Sequence, residues 1–412
     1  MRSHPARSAF GLPIYLAASP AARFSTSFTS VEMKKDRQQK LRIVFVRRGY
    51  SPTGGAEAYL KRFARAVTEA GHEVHLVTTN DWPDAEWSFG SITHLRGKSP
   101  IEFADELERM RTEFQGDVLF SLERVWSCDV YRAGDGVHRA WLHRRQKFEL
   151  PLKRFVRSLG SKHRDLLRLE QSLLSGGNAG RVIVASQMVK DEIVNLYRYP
   201  EEKINIVRNG VPLEKFRLDP ELREKSREEL KLKPDQTALL FAGSGWERKG
   251  LLFAIEAAAL CRDLKMRLLV AGRGSAKRYQ TKRLGFWREE PVQFLGEVAE
   301  MLRVYAAADV FILPTIYDPF SNACLEALAC GLPVITTRSN GFSEIIENGV
   351  HGSIVDQAAD LLALRDAIRL WSNQSRRVAA SSTNRQLAAQ FDISKNMGDT
   401  LAVLCAAKGE TE

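Results

Sequence analysis

Residues 306–337, AAADVFILPTIYDPFSNACLEALACGLPVITT, change hydrophobic period twice within one short window. Ala308 to Leu313, apart from Asp309, is an apolar run rich in Val, Ile and Phe, the pattern of a buried strand, and Pro314 ends it. From Asn322 to Cys330 the apolar residues Ala323, Leu325, Leu328 and Ala329 recur at helical spacing, and Ser321 is a natural N-cap. Gly331 stops that helix, Pro333 prevents its return, and Val334 to Thr337 is strand-like again. Strand, loop, helix and strand make a βαβ crossover, which commits the chain to a parallel sheet covered by helices.

Two carboxylates sit in this unit. Asp318 lies in the loop beyond the carboxyl end of the strand, and Glu326 is one to two turns into the helix. Ligands of such sheets bind in the crevice beyond the carboxyl ends of the strands. The helix start offers unpaired N–H groups and a positive dipole end, which suit a phosphate. Carboxylates accept hydrogen bonds from sugar hydroxyls. The unit therefore suits a sugar joined to phosphate. From spacing alone, a turn residue and a solvated helix position describe the two acids equally well.

A second βαβ unit opens the chain. Leu41 to Val46 is a buried strand, Gly54-Gly55 opens an amphipathic helix closed by Gly71, and Val74 to Thr78 is the next strand. Glycine at that helix start lets backbone approach a ligand closely. Further on, Asp135 and His138 fall in a Gly-broken loop after the segment Asp129-Val130-Tyr131. Arg248 and Lys249 stand at a loop-to-helix junction before Gly250. Cations at a helix start oppose its dipole, so this placement asks for another reason, and a diphosphate supplies one.

At 412 residues the chain has room for two or more domains, and 44% apolar with 27% charged residues is a globular composition. The net charge of +11 favours an anionic partner. No apolar run approaches the roughly 18 residues of a membrane span. The five cysteines form no CxxC and no zinc spacing and read as buried free thiols in a reducing compartment. No nucleic-acid motif is present. Residues 1–30 lack Asp and Glu; they read as an over-long gene start, with Met33 as the real beginning, or as a transit-like segment. Residues 139–168 hold ten Lys and Arg against Glu149 and Asp165, with Trp141, Phe148, Leu152 and Phe155 interleaved. That pattern fits a solvated face or an anionic bilayer surface.

Taken together, Asp318, Glu326 after seven intervening residues, the following Gly331-x-Pro333-Val334, the Gly54-Gly55-Ala56-Glu57 loop and Arg248-Lys249-Gly250 resemble retaining GT-B glycosyltransferases of family 4. The DVYRAGD segment resembles the lipopolysaccharide core glucosyltransferase I group within it. The first acid departs from the usual Glu: Asp318 keeps the charge and shortens the reach.

The resemblance implies two Rossmann-like domains facing each other across a cleft. It sets an extension at 1–40, an acceptor-side domain at 41–208, a donor-binding domain at 209–390 and a returning C-terminal helix at 391–412. It assigns Arg248 and Lys249 to the leaving diphosphate, with Ser321 and Asn322 at the helix start. Glu326 goes to the ribose, Asp318 to the moving sugar, Gly54 and Gly55 to sugar and phosphate, and Asp135 and His138 to the acceptor or donor sugar. The implied reaction uses no cofactor and no metal ion. It moves a hexose, glucose from UDP-glucose, onto a lipid-linked saccharide such as an inner-core heptose. The expected setting is cytoplasmic and peripheral at the inner face of the cell membrane, through residues 139–168. A sugar-nucleotide 2-epimerase of the same architecture and a non-catalytic anionic-surface binder are the alternatives.

Overall fold

The computed structural model describes residues 40–52, 54–148, 161–217, 219–280 and 292–409. The expectations for residues 1–39 and for the middle of the basic stretch, residues 149–160, lie outside these.

The first half runs β1 (Arg42–Val46), α1 (Gly55–Glu69), β2 (Glu73–Thr79), β3 (Ser91–Leu95), α2 (Pro100–Met110), β4 (Val118–Ser121) and β5 (Cys128–Arg132). It continues through α3 (His138–Gln146), α4 (Ser161–Leu174), β6 (Ala179–Val184), α5 (Gln187–Tyr197) and β7 (Ile204–Ile206). Its seven strands pair in the order β3-β2-β1-β4-β5-β6-β7, every pair parallel.

The second half runs α6 (Pro220–Glu229), β8 (Thr237–Ala242), α7 (Trp246–Lys249), α8 (Leu251–Ala259), β9 (Met266–Ala271), α9 (Lys277–Gln280), β10 (Val292–Gly296) and α10 (Met301–Ala307). It ends with β11 (Val310–Leu313), α11 (Asn322–Ala329), β12 (Val334–Thr337), β13 (Gly352–Val355), α12 (Leu361–Ser372), α13 (Gln374–Ala388) and α14 (Ile393–Gly409). Its six strands pair β10-β9-β8-β11-β12-β13, again all parallel.

Each sheet has a switch point, between β1 and β4 and between β8 and β11, where the winding reverses and a crevice opens at the strand ends. The β1 strand shows why its sheet is covered on both faces. Successive side chains point to opposite sides, so Ile43 and Phe45 pack in one cluster and Val44 and Val46 in the other. The first cluster takes Leu60, Phe63 and Val67 from α1 and Val403, Leu404 and Ala407 from α14, so the last helix of the chain closes one face of the first sheet.

Three local features differ from the sequence reading. β3 and β13 are strands that the hydrophobic pattern does not announce, because SITHL is a half-exposed edge and GSIV is four residues long. Arg248 and Lys249 do not start a helix. They form the last turn of the one-turn α7, and Gly250 at φ +78° separates it from α8. Only glycine fits there, since a Cβ would lie 1.9 Å from the carbonyl oxygen of Pro314. The opposed-dipole argument for these two cations therefore falls away. His138 is not in the loop either but is the first residue of α3.

Leu404 is fully buried between α14 and the first sheet. Leu404→Ala is expected to cost ~2–5 kcal/mol, read as a lower urea midpoint with an unchanged denaturant slope.

Candidate active site

The two switch points face a common cavity of about 320 Å³. From the first half, Arg47 follows β1, Gly55 and Tyr59 come from α1, Arg132 ends β5, and Asp135 lies in the loop after it. From the second half come Lys249, Asp318 from the loop after β11, and Ser321 and Asn322 at the start of α11.

Asp318 is buried and ion-paired to Lys249. Ser321 caps α11, its hydroxyl accepting from the N–H of Cys324 at 3.4 Å. The Ser321 N–H donates to the Asn340 side-chain oxygen at 3.2 Å, and Asn340, fully buried, also donates to Thr336 at 2.9 Å. Asn340 therefore ties the 314–321 loop to the end of β12. The Asn322 side chain accepts from Asn209, in the segment that joins the two halves, at 2.8 Å.

Among the described residues, charges rather than hydrogen bonds act on the Asp135 carboxyl. Burial pushes its carboxyl up, but the guanidinium groups of Arg248, Arg124 and Arg47 outweigh that and hold it below the usual range. Its loop is clamped from beneath. Arg124 donates to the Gly136 carbonyl at 2.6 Å and to Glu170 at 2.9 Å. Glu170 also accepts from the N–H groups of His138 at 2.6 Å and Arg139 at 3.0 Å, so it caps α3. Arg47 is likewise committed, to Glu57 at 2.9 Å and Glu123 at 2.5 Å.

Of the remaining expected site residues, Gly54, His138, Arg248 and Glu326 do not line this cavity. Arg248 lies 6.0 Å from the centre of the Tyr317 ring, and its carbonyl accepts from Thr315 and Ile316, both at 2.9 Å. Glu326 accepts from the Tyr305 hydroxyl at 2.9 Å, and burial pushes its carboxyl up. Gly55 lines the cavity, whereas Gly54 packs on Glu57, whose carboxylate would stand 1.8 Å from a Cβ there. His138 turns away: its ring stacks on His163 at 5.2 Å and shares a 3.0 Å hydrogen bond with it. Burial, then the nearby Arg124, lower its pKa to about 4, so the ring is neutral at pH 7.

Tyr317 is the residue that the sequence concealed. It belongs to the loop after β11, yet its side chain is fully buried in the hydrophobic cluster of the first sheet. Its hydroxyl donates to Glu192 at 2.7 Å and accepts from the Val137 N–H at 2.8 Å. Arg144 stands 5.2 Å over its ring. Gly136, at φ +73°, leaves it room, since a Cβ there would come within 2.3 Å of the hydroxyl. The only advance signal is the placement of a large aromatic beside Asp318.

The profile described as "Glycosyltransferase Family 4" matches residues 53–215, and that described as "Glycosyl transferases group 1" matches residues 236–373. An uncharacterized glycosyltransferase of Methanocaldococcus jannaschii is 26% identical over 332 residues, spanning 76% of this chain and 84% of that protein. The lipopolysaccharide glucosyltransferase WaaG of Escherichia coli is 24% identical over 362 residues, spanning 85% and 95%. A crystal structure of WaaG superposes with a TM-score of 0.75 at 22% identity, covering 88% of this chain and 99% of that one. The Anabaena protein HepE, solved with UDP and glucose, superposes at 0.68 and 19%, covering 88% and 99%.

Tyr317→Phe would leave the buried Glu192 carboxylate and the Val137 N–H without this partner. The expected loss is ~1–3 kcal/mol of unfolding free energy, measured by chemical denaturation beside Glu192→Gln, with which it should be far from additive.

Proposed function

The chain belongs to glycosyltransferase family 4, with the GT-B fold, and for this enzyme we propose transfer of glucose from UDP-glucose, with retained configuration, onto a lipid-linked saccharide such as a lipopolysaccharide inner-core heptose. One observation carries the reading. Lys249 and Asp318 from one sheet and Asp135 from the other line a single cavity at the N-terminal end of α11. WaaG is named as a lipopolysaccharide glucosyltransferase, and HepE binds UDP and glucose. Both support this donor and the first supports this acceptor class.

In this reading the donor diphosphate lies against the start of α11 and Lys249. The positive end of α11 at Asn322 and the Lys249 ammonium stabilise charge that develops on the leaving phosphate. Arg248 adds its field from behind. Diphosphate binding releases Asp318 from Lys249, and the carboxylate then accepts from hydroxyls of the moving sugar. Glu326, with one oxygen held by Tyr305, offers the other to the ribose. The acceptor hydroxyl attacks the anomeric carbon as its bond to the phosphate oxygen breaks. Attack comes from the face of departure, and the proton passes to the phosphate. Asp135, kept ionised by three guanidinium groups, orients the acceptor hydroxyl. Cations carry the diphosphate charge in this reading, which requires no metal ion, and EDTA is expected to leave the rate unchanged.

Lys249→Gln and, separately, Arg248→Gln should each lower turnover ~10²–10³-fold; Lys249→Gln should also lower the thermal unfolding midpoint, because it strands the buried Asp318, whereas Arg248→Gln should move it little. Near-wild-type turnover of both purified variants, in a UDP-release assay with acceptor present, would remove the leaving-group assignment.

The basic stretch is proposed to hold the enzyme on an anionic membrane. No helix among the described residues is long and apolar enough to cross one. The structure changes which cations are available. Arg144 is paired with Glu192 at 2.5 Å and Arg145 with Glu247 at 3.2 Å, and α3 buries only Ala140, so it carries no apolar stripe. Lys147, Lys162 and Arg164 are exposed on either side of residues 149–160. Each exposed cation near an anionic surface contributes ~1 kcal/mol. Vesicles containing anionic lipid should co-sediment the protein at low salt and release it as salt rises. Changing Lys147, Lys162 and Arg164 to Ser should weaken this and leave UDP binding intact. Equal sedimentation with neutral and anionic vesicles would count against the proposal.

A further inference from the structure

The cationic wall of the cleft contains one group whose charge nothing in the described protein balances. Arg132 ends β5, and strand alternation places it on the same face as Val130, toward α1 and α14. Only 6% of the residue is exposed. Its guanidinium lies 4.3 Å over the Tyr59 ring and donates one hydrogen bond, from Nη2 to the Asn209 side-chain oxygen at 3.0 Å. Nη1 is shut away from solvent without an acceptor. Among the described residues no carboxylate pairs with it, although the other buried cations here are paired: Arg47 to Glu57 and Glu123, and Arg124 to Glu170.

A guanidinium removed from water without a counter-charge is unfavourable by several kcal/mol. Stacking on tyrosine and one neutral hydrogen bond offset only part of that. Arg62, three residues after Tyr59 and so on the same side of α1, lines the same cavity; among the described residues it makes no ion pair, though its charge acts on Glu326. Four cations and two carboxylates line the cavity, and of the cations Arg47 is already paired with Glu57 and Glu123. Lys249 and the start of α11, the seat assigned to the donor diphosphate, belong to the opposite wall.

We propose that Arg132, with Arg62 beside it, is a second oxyanion seat on the first-sheet wall of the cleft, and that it takes the phosphate or carboxylate of an acidic acceptor sugar. This deepens the glycosyl-transfer reading and rests on it for the word acceptor. Guanidinium suits the task because its planar fork meets an oxyanion with two parallel hydrogen bonds. The aromatic ring beneath fixes the plane of that fork. Asn209 fixes its rotation, and through Asn322 links it to the helix that faces the donor. The enzyme would thereby distinguish acidic acceptors from neutral ones by charge.

The test is a calorimetric titration of inorganic phosphate into the full-length protein, with and without saturating UDP. Wild type is expected to bind phosphate with UDP already in place. Arg132→Gln should weaken that binding at least tenfold with UDP affinity unchanged, and Arg132→Lys, which keeps the charge without the fork, should fall between. Acetate in place of phosphate separates the two sources, since a seat for a carboxylate binds both. Phosphate binding that UDP abolishes, or an equal loss of UDP and phosphate affinity in Arg132→Gln, would assign Arg132 to the donor and overturn the proposal. So would phosphate binding that the substitution leaves unchanged, or no phosphate binding by wild type. If UDP fails to bind wild type, the donor reading fails by itself, and the UDP-free titration still decides the seat.

Discussion

A tyrosine from one sheet buried in the core of the other sets the geometry of the cleft. Tyr317 could satisfy its hydroxyl within its own half only by leaving the pocket that Val137, Glu192 and Arg144 make for it. An aromatic of that size buries a large apolar area and anchors a polar end at once. The contact therefore resists sliding as well as separation. Glu344 adds a second tie of the same kind: it reaches from the second half to cap α5, accepting from the N–H groups of Gln187 at 2.9 Å and Met188 at 2.7 Å. Asp318 follows Tyr317 directly in the chain and Asp135 precedes Val137 by two residues. Fixing the tyrosine thus fixes the separation of the two carboxylates.

Charge burial in the cleft follows one rule with one departure. Where a cation only supports the site, the chain supplies its acid: Glu170 under Arg124, Glu57 and Glu123 around Arg47. These pairs do little for net stability, since desolvation consumes most of their attraction, but losing one member would strand the other. They hold loops in one conformation. Lys249 and Asp318 pair with each other across the donor seat, an arrangement a diphosphate can exchange for a better one. Among the described residues Arg132 has no such acid, and it faces the cavity from the wall opposite the donor.

Much of the fold was legible because the buried parallel strands announce themselves as short apolar runs between glycine and proline signals. β1, β8, β11 and β12 lie within a residue or two of where the pattern puts them. β3 and β13 escaped because edge strands carry no such run. For the site, the sequence supplied the residues that lie in loops next to glycine or proline. It placed Arg248 and Lys249 on the wrong end of a helix because the left-handed turn at Gly250 splits what reads as one helical segment. It could not supply Tyr317, Arg132, Asn209 or Glu170. Their roles arise from contacts between segments up to 180 residues apart, and no local period encodes those. His138 was singled out for its loop-like surroundings, whereas its ring is satisfied by His163.

The shortened first acid is consistent with this architecture. With Tyr317 anchored in the other half, the backbone at residue 318 is held close to the ammonium of Lys249. An aspartate reaches that ammonium from there, and the Lys249 chain, only 17% exposed, has little room to retreat. A longer carboxylate would have to fold back or push the ammonium toward the start of α11. The side-chain length at 318 and the depth of the tyrosine anchor are then parts of one constraint. The pair keeps both charges compensated and leaves the start of α11 to meet an incoming phosphate.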